Sequence, residues 1–282
     1  VIKISISARR ALTCAGFALF VPLAACGGGG GSSPVTTPVT PPTTPPSTVA
    51  NTSATQYLPL GAGNTWTYTS GGSMRDLGSI SLPCSGCAIQ GIAIESIGVY
   101  SPAGTQAGIF YYSKGSYPSG TYAGHAVTYF NGLSKDGGIT VLTLEYSLDG
   151  KVPGVVVMDD APTVGESFSF AAGAGSAIFP ATSNITSIGG TQALGANTTI
   201  NNVAQDLLSQ STSTFGFGFA RGVGFASITT GGTTLNLSSF SINAATAFDA
   251  KRQSMSVQPR TVRPATPAEL ATIPAMLNQL AH

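Results

Sequence analysis

Val223-Gly224-Phe225-Ala226-Ser227-Ile228-Thr229-Thr230-Gly231-Gly232-Thr233-Thr234-Leu235-Asn236-Leu237-Ser238-Ser239-Phe240-Ser241-Ile242 sets two strand-forming runs around a pair of glycines. Gly-Gly accepts the positive φ that both central residues of a tight two-residue turn require, so the stretch reads as a β-hairpin. Just upstream, Phe215, Phe217 and Phe219 alternate with Gly216 and Gly218. A period of two puts the three rings on one face and leaves the other bare. Two readings stand: core packing, with glycines admitting a close neighbour, or an aromatic wall lining a hydrophobic pocket.

Similar runs recur toward the N-terminus. Thr65 to Thr69 alternates hydroxyl and aromatic residues, with Trp66 and Tyr68 on one face, and ends at Gly71-Gly72. Ile109 to Ser113, Ala126 to Phe130, Ile139 to Ser147 and Val155 to Met158 are further strands. Asn131-Gly132, Asp136-Gly137-Gly138 and Asp149-Gly150 separate them as turns. Long helices are disfavoured because Lys, Glu, Gln and Arg are scarce. The expected fold is all-β: a curved antiparallel sheet, as a half-barrel or sandwich, with a short C-terminal helical segment. That segment is marked by Thr266-Pro267-Ala268-Glu269, a capping box with proline at the first helical position. Leu270, Ile273, Leu277 and Leu280 share its apolar face, and Pro274 should kink it. Lys251, Arg252, Arg260 and Arg263 precede it, read as a solvated linker or, alternatively, as a contact for anionic surface groups.

A faint repeat is present. Gly63-Asn64-Thr65-Trp66-Thr67-Tyr68 is echoed by Gly165-Glu166-Ser167-Phe168-Ser169-Phe170, each a turn feeding a strand with inward aromatics. The two copies mark either duplicated halves or a convergent strand start.

The first residues differ in kind. Lys3, Arg9 and Arg10 precede the apolar stretch Ala11 to Leu23, which is too short to span a bilayer and reads as a signal peptide core. Leu23-Ala24-Ala25-Cys26 then resembles the lipobox of bacterial lipoproteins. That resemblance implies cleavage before Cys26, acylation of its thiol and attachment to a membrane. Glycine rather than aspartate at position 27 implies outer-membrane sorting in a Gram-negative cell. The domain's opening, Tyr57-Leu58-Pro59-Leu60 and Gly63-Asn64-Thr65-Trp66-Thr67-Tyr68, resembles that of many poorly characterised bacterial lipoproteins. Many of these also carry a late Gly-Val-Gly segment, which Gly222-Val223-Gly224 resembles. The resemblance implies a curved antiparallel sheet related to lipoprotein-carrier half-barrels and brings no catalytic residues. The Cys84–Cys87 loop and the Gly/Ala/Ser-rich stretch from Ala171 to Asn197 depart from it.

The expected organisation is a signal peptide over 1–25, a lipidated cysteine and Gly/Pro/Thr/Ser-rich tether over 26–55, a β domain over 56–248 and a C-terminal extension over 249–282. The prolines of the tether favour extended polyproline II. Charged residues form 8% of the chain and the net charge is +1, so nucleic-acid binding has no electrostatic footing. Once Cys14 is cut away and Cys26 acylated, Cys84 and Cys87 remain. In an oxidising envelope they would close a small disulfide loop. A redox pair would want a helix N-terminus, whereas the flanks Ile80-Ser81-Leu82 and Ala88-Ile89-Gln90 read as strands, and zinc would want two more ligands.

No nucleophile elbow, phosphate loop or His-Glu-x-x-His occurs. His125 could serve as a general base but has no nucleophile motif beside it in sequence. Asp159-Asp160 reads first as a turn at a strand end, and Glu95 and Glu145 fall within strands. No cofactor is expected. The function expected is therefore that of a non-enzymatic outer-membrane lipoprotein binding a protein partner or apolar ligand, facing the periplasm or the cell surface. A surface-displayed adhesin-like protein and a hydrolase with dispersed catalytic residues are the alternatives.

Overall fold

The computed structural model describes residues 47–49, 56–81, 89, 91–135, 140–143, 152–172, 179–194, 198–210, 214–243 and 261–282. Cys26, Cys84, Cys87, Glu145, the whole of the expected signal peptide and all of the expected tether but residues 47–49 lie outside them. The strands are β1 Ser47–Val49, β2 Thr65–Tyr68, β3 Ser73–Ile80, β4 Ile94–Tyr100, β5 Gln106–Ser116, β6 Ala126–Lys135, β7 Thr140–Thr143, β8 Val155–Asp159, β9 Ser167–Ala172, β10 Phe179–Leu194, β11 Thr198–Gln210, β12 Thr214–Ala220, β13 Gly224–Thr230, β14 Thr233–Ser241 and β15 Thr261–Pro264. Two short helices, α1 Pro267–Leu270 and α2 Ile273–Asn278, end the chain.

These strands form one mostly antiparallel, open sheet in the order β15-β7-β6-β5-β4-β3-β2-β14-β13-β12-β11-β10-β9, so the all-β expectation holds. Two consecutive meanders, β2 to β6 and β9 to β14, are joined where β14 pairs with β2. The sheet curls until its inner faces meet: Tyr112 of β5 packs against Phe225 of β13, ring centroids 5.6 Å apart. β8 pairs with β6 and also lies against β9, β10 and β11. The two ends of the open sheet thus approach each other along a seam between β8 and β9.

The hairpin read first is present, with Gly231 at φ 56° and Gly232 at φ 80° between paired Thr230 and Thr233. Trp66 and Tyr68 face inward from β2. Phe215, Phe217 and Phe219 are buried in the main core beside Phe225, and the cleft discussed below is not lined by them. The Gly-Asn-Thr-Trp strand start and the Gly222-Val223-Gly224 segment meet here, 157 positions apart from Trp66 to Val223: the Trp66 indole N–H donates to the Val223 carbonyl at 2.6 Å.

The repeat is structural as well as sequential. Gly63 and Gly165 both have positive φ, 88° and 89°. Gly63 N–H donates to Asp76 O and Asp76 N–H returns to Asn64 O, while Gly165 N–H donates to Ile185 O and Ile185 N–H returns to Glu166 O. A register shift follows each partner, after Asp76 in β3 and after Ile185 in β10. Trp66 and Phe168 occupy matching inward positions, both buried.

Several local expectations give way. Asn131-Gly132 is not a turn but lies inside β6, at the bulge where Tyr111 pairs with Gly132 and Tyr112 with Phe130. Asn131 is buried there and its amide donates to Pro153 O at 3.0 Å, so an Asn-Gly pair that suits turns also suits an extra bulge residue. Ile89 is a turn residue rather than part of a strand, buried in a second cluster with Ile80, Ile94, Ile109 and Tyr111 on the sheet's other face. Ser47–Val49 of the tether pairs in parallel with Thr198–Ile200 of β11, beyond the part of β11 that β12 covers. Polyproline II lies close to β geometry, so little reorganisation is needed for an extended tract to take up those free backbone groups. The Gly/Ala/Ser-rich stretch contributes the 16-residue strand β10.

The tail docks on the sheet and adds a strand, β15, parallel to β7. The chain turns at Ala271 and Thr272 between α1 and α2, with Pro274 in the first turn of α2. Leu270, Ile273, Met276, Leu277 and Leu280 are all buried. Gly108 of β5 makes room for them, since a Cβ there would collide with Met276 Cε. Thr266 and Glu269 form the reciprocal capping box, and Arg263 holds the Glu269 carboxylate with both guanidinium nitrogens. Arg263 is therefore paired rather than merely solvated, and it holds the Glu269 carboxyl down at about 2. Glu269→Ala should cost about 1–2 kcal/mol in urea unfolding at neutral pH, through loss of the cap and the pair. Because the folded-state pKa is depressed, that difference is full above the ordinary glutamate range and should fade as pH falls from about 4.5 toward 2.

Candidate functional site

The site lies on the seam. His125 precedes β6, Asp159 ends β8 and Glu166 immediately precedes β9. The β6–β8 ladder places Val127 opposite Asp159, which brings the residue just before β6 alongside the end of β8. The loop from Asp160 to Glu166 then turns the chain into β9, with Gly165 supplying the positive φ.

His125 Nδ1 is in direct hydrogen-bond contact with Asp159 Oδ2, and Glu166 Oε1 lies 3.7 Å from the same nitrogen. The imidazole is 36% exposed, while the Asp159 and Glu166 side chains are 0% and 1% exposed, so a partly open ring faces two sunken carboxyl groups. Asp159 also accepts the Ala161 N–H at 2.7 Å through Oδ1. Glu166 differs, since neither of its buried oxygens accepts a well-formed hydrogen bond. Burial and the neighbouring Asp159 raise the Glu166 pKa, against a smaller lowering by the nearby Thr163 backbone and hydroxyl and by His125. The Asp159 hydrogen bond raises the His125 pKa, burial opposes it, and both carboxylates add to the rise.

An open cleft of about 630 Å³ runs beside this cluster, lined by Gln56, His125, Asp159, Asp160, Ala161 and Arg221 among others. Asp160, next to Asp159, organises further lining of the cleft. It accepts the Tyr57 N–H at 3.1 Å and the Lys114 ammonium at 3.2 Å, and its carbonyl accepts from Arg221 Nη1 at 3.1 Å. The Arg221 guanidinium stacks 4.3 Å over the Tyr57 ring. Burial lowers the Lys114 pKa, and Asp160 pulls it back up. Gln56 lines the cleft too, and its carbonyl accepts the Gly222 N–H at 2.8 Å.

His125 and the Asp159-Asp160 pair stand out separately in the sequence, and the fold brings them together. Glu166 is visible there only as a turn residue of the repeat. The signal that could have found it is its departure from the first copy: Asn64, in the same place, is neutral and has both amide atoms bonded, to Pro59 O and Asn243 N. Glu95 is elsewhere, buried near Asp76 and outside the cleft lining. The geometry can bind a cation through three donors or hold a polar partner between charges of both signs. Among the described lining residues none is Ser, Thr or Cys, so the cleft offers His125 no hydroxyl or thiol to activate. No family model matches this chain, and no curated protein or solved structure matches it either.

Proposed function

We propose that this chain is a lipid-anchored outer-membrane protein whose β domain is a non-catalytic binding module, engaging a polar or charged partner in the cleft beside His125. The observation that carries this reading is the cleft's chemistry. Its lining brings the basic Arg221 together with Asp159, Asp160 and His125, with Gln56 beside them. An apolar ligand has less support, because Phe215, Phe217 and Phe219 pack within the core. The anchor itself is supported by Leu23-Ala24-Ala25-Cys26 and the apolar run before it.

The test is fractionation of cells producing the chain or its Cys26→Ser variant. The parent should pellet with outer membranes and its N-terminal peptide should carry acyl mass, since several chains at about 0.8 kcal/mol per CH₂ hold it firmly. The variant should be lost from the membrane fraction. A photo-crosslinking residue at exposed Ala161 should give a discrete adduct that Arg221→Glu abolishes. Equal partitioning of parent and variant would refute the anchor, and absence of any adduct at Ala161 would refute the cleft as the binding face. Protease treatment of intact cells separates a periplasm-facing domain, which survives, from a surface-displayed one.

A further inference from the structure

We propose that His125 Nδ1, Asp159 and Glu166 form a binding site for a transition-metal dication, zinc foremost, that staples the open seam of the sheet. This is independent of the lipid anchor; it shares His125 and Asp159 with the partner-binding cleft, but metal binding is measured with no partner present.

Three observations converge. First, the donor atoms of His125, Asp159 and Glu166 all lie within 4.8 Å of one another, which lets one ion reach all three after small side-chain adjustment. Bonds of about 2.0–2.2 Å from imidazole nitrogen and carboxylate oxygen are the zinc geometry. Second, Glu166 is buried to 2% exposure with both oxygens unpartnered, and Oε1 points toward His125 Nδ1 at 3.7 Å. Thr163 and His125 stand near it without a well-formed hydrogen bond to either oxygen, so the sunken carboxylate is under-satisfied and a cation would complete it. Third, the position follows from the architecture. Where the meanders join through β14 and β2, backbone pairing closes the boundary. The other boundary lies between β8 and β9, and β9 ends the sheet order without pairing to β8. Side chains from both of its sides converge there instead.

The donor set selects the ion. One imidazole with two carboxylates suits zinc or manganese, whereas calcium and magnesium prefer an all-oxygen shell. The exposed edge of His125 lies toward the cleft, so the remaining coordination position would be filled by water or by an oxygen donor of a bound partner.

The experiment uses the full chain in detergent, stripped with chelator and titrated calorimetrically with zinc, manganese, calcium and magnesium salts. Zinc should bind at one equivalent with Kd of about 1 µM or tighter, and calcium and magnesium should give no saturable heat. Zinc should raise the thermal midpoint by about 3 °C or more. His125→Ala removes a half-exposed ring and little packing, so the fold should persist; zinc affinity should drop by at least about tenfold and the midpoint shift should vanish. Glu166→Gln should weaken zinc comparably while removing a buried charge. Cobalt substitution gives a second readout, its visible bands present in the parent and lost in His125→Ala. No saturable zinc binding by the parent, or binding undiminished in His125→Ala, would overturn the proposal and leave the cluster as an ion triad of protein groups alone.

Discussion

Gly224→Ala is expected to destabilise the domain by about 3 kcal/mol, a large part of the roughly 5–15 kcal/mol that typically holds a domain together. Two effects add at this residue. Its φ is +98°, where an L side chain is strained by about 1 kcal/mol or more. A Cβ there would also lie 2.9 Å from Trp66 Nε1 and 3.0 Å from Leu58 Cδ1. Neither neighbour can yield easily. Trp66 is fully buried, hydrogen-bonded to Val223 O and packed edge-on against Phe225 with ring centroids 5.2 Å apart. Gly231→Ala supplies the control: its φ is +56° and a Cβ would meet nothing within 4 Å, so only the backbone cost of about 1 kcal/mol remains. Urea unfolding followed by Trp66 fluorescence measures both. Equal losses in the two variants would show that Gly224 is a turn glycine and not the floor beneath the indole.

That contact marks the boundary of what the sequence could disclose. The hairpin at Gly231-Gly232 was legible because turn chemistry acts between residues a few positions apart, and the capping box at Thr266 was legible for the same reason. The inward direction of Trp66 and Tyr68 followed from alternation alone. What Trp66 touches did not, since the pairing of β14 with β2 brings together residues at opposite ends of the domain. β10 escaped notice because its Ser, Thr and Gly residues lack apolar alternation. Across Thr186 to Gly190 the single large apolar side chain is Ile188, and it is 42% exposed. The ladder to β11, through Ser187 and Gly190, makes that stretch a strand rather than any side-chain pattern, since pairing with β9 stops at Asn184.

The candidate site shows the same division more sharply. His125 and Asp159 were each recognisable as chemistry-bearing residues, but their meeting depends on β8 returning to pair with β6. Glu166 was concealed by the repeat, whose pattern tolerates Asn or Glu equally well. The backbone needs only a residue whose N–H and C=O complete the turn, and both copies meet that need in the same way. The side chain is therefore free to vary. In the first copy it completes a neutral hydrogen-bond net; in the second it turns a carboxyl group toward the seam.

Glu95→Gln is expected to stabilise the domain by about 1–2 kcal/mol at pH 8 and to leave it almost unchanged at pH 4. Asp76 and Glu95 lie on neighbouring strands, β3 and β4, both buried, and two carboxylates so placed resist holding two charges. Burial, then the Glu95 charge, push Asp76 up to about 8, against opposing hydrogen bonds from the Gly61 and Gly78 backbone N–H groups. A raised folded-state pKa means that the native protein keeps a proton the unfolded chain has released. Its contribution is complete below the ordinary aspartate value and is lost as pH rises toward about 8. Glutamine keeps the shape of Glu95, can still accept from the Ser79 hydroxyl, and offers Asp76 an N–H in place of a like charge. The pH slope should shrink without disappearing, because burial of Asp76 remains. Asp76→Asn is the sharper comparison, and its expected sign is opposite: an amide cannot accept from both Gly61 and Gly78, so it should destabilise at acid pH, where the parent is at its best. Urea unfolding of the three proteins between pH 4 and pH 8.5 decides the matter. Parallel stability curves for the parent and Glu95→Gln would show that the two carboxylates do not sense each other.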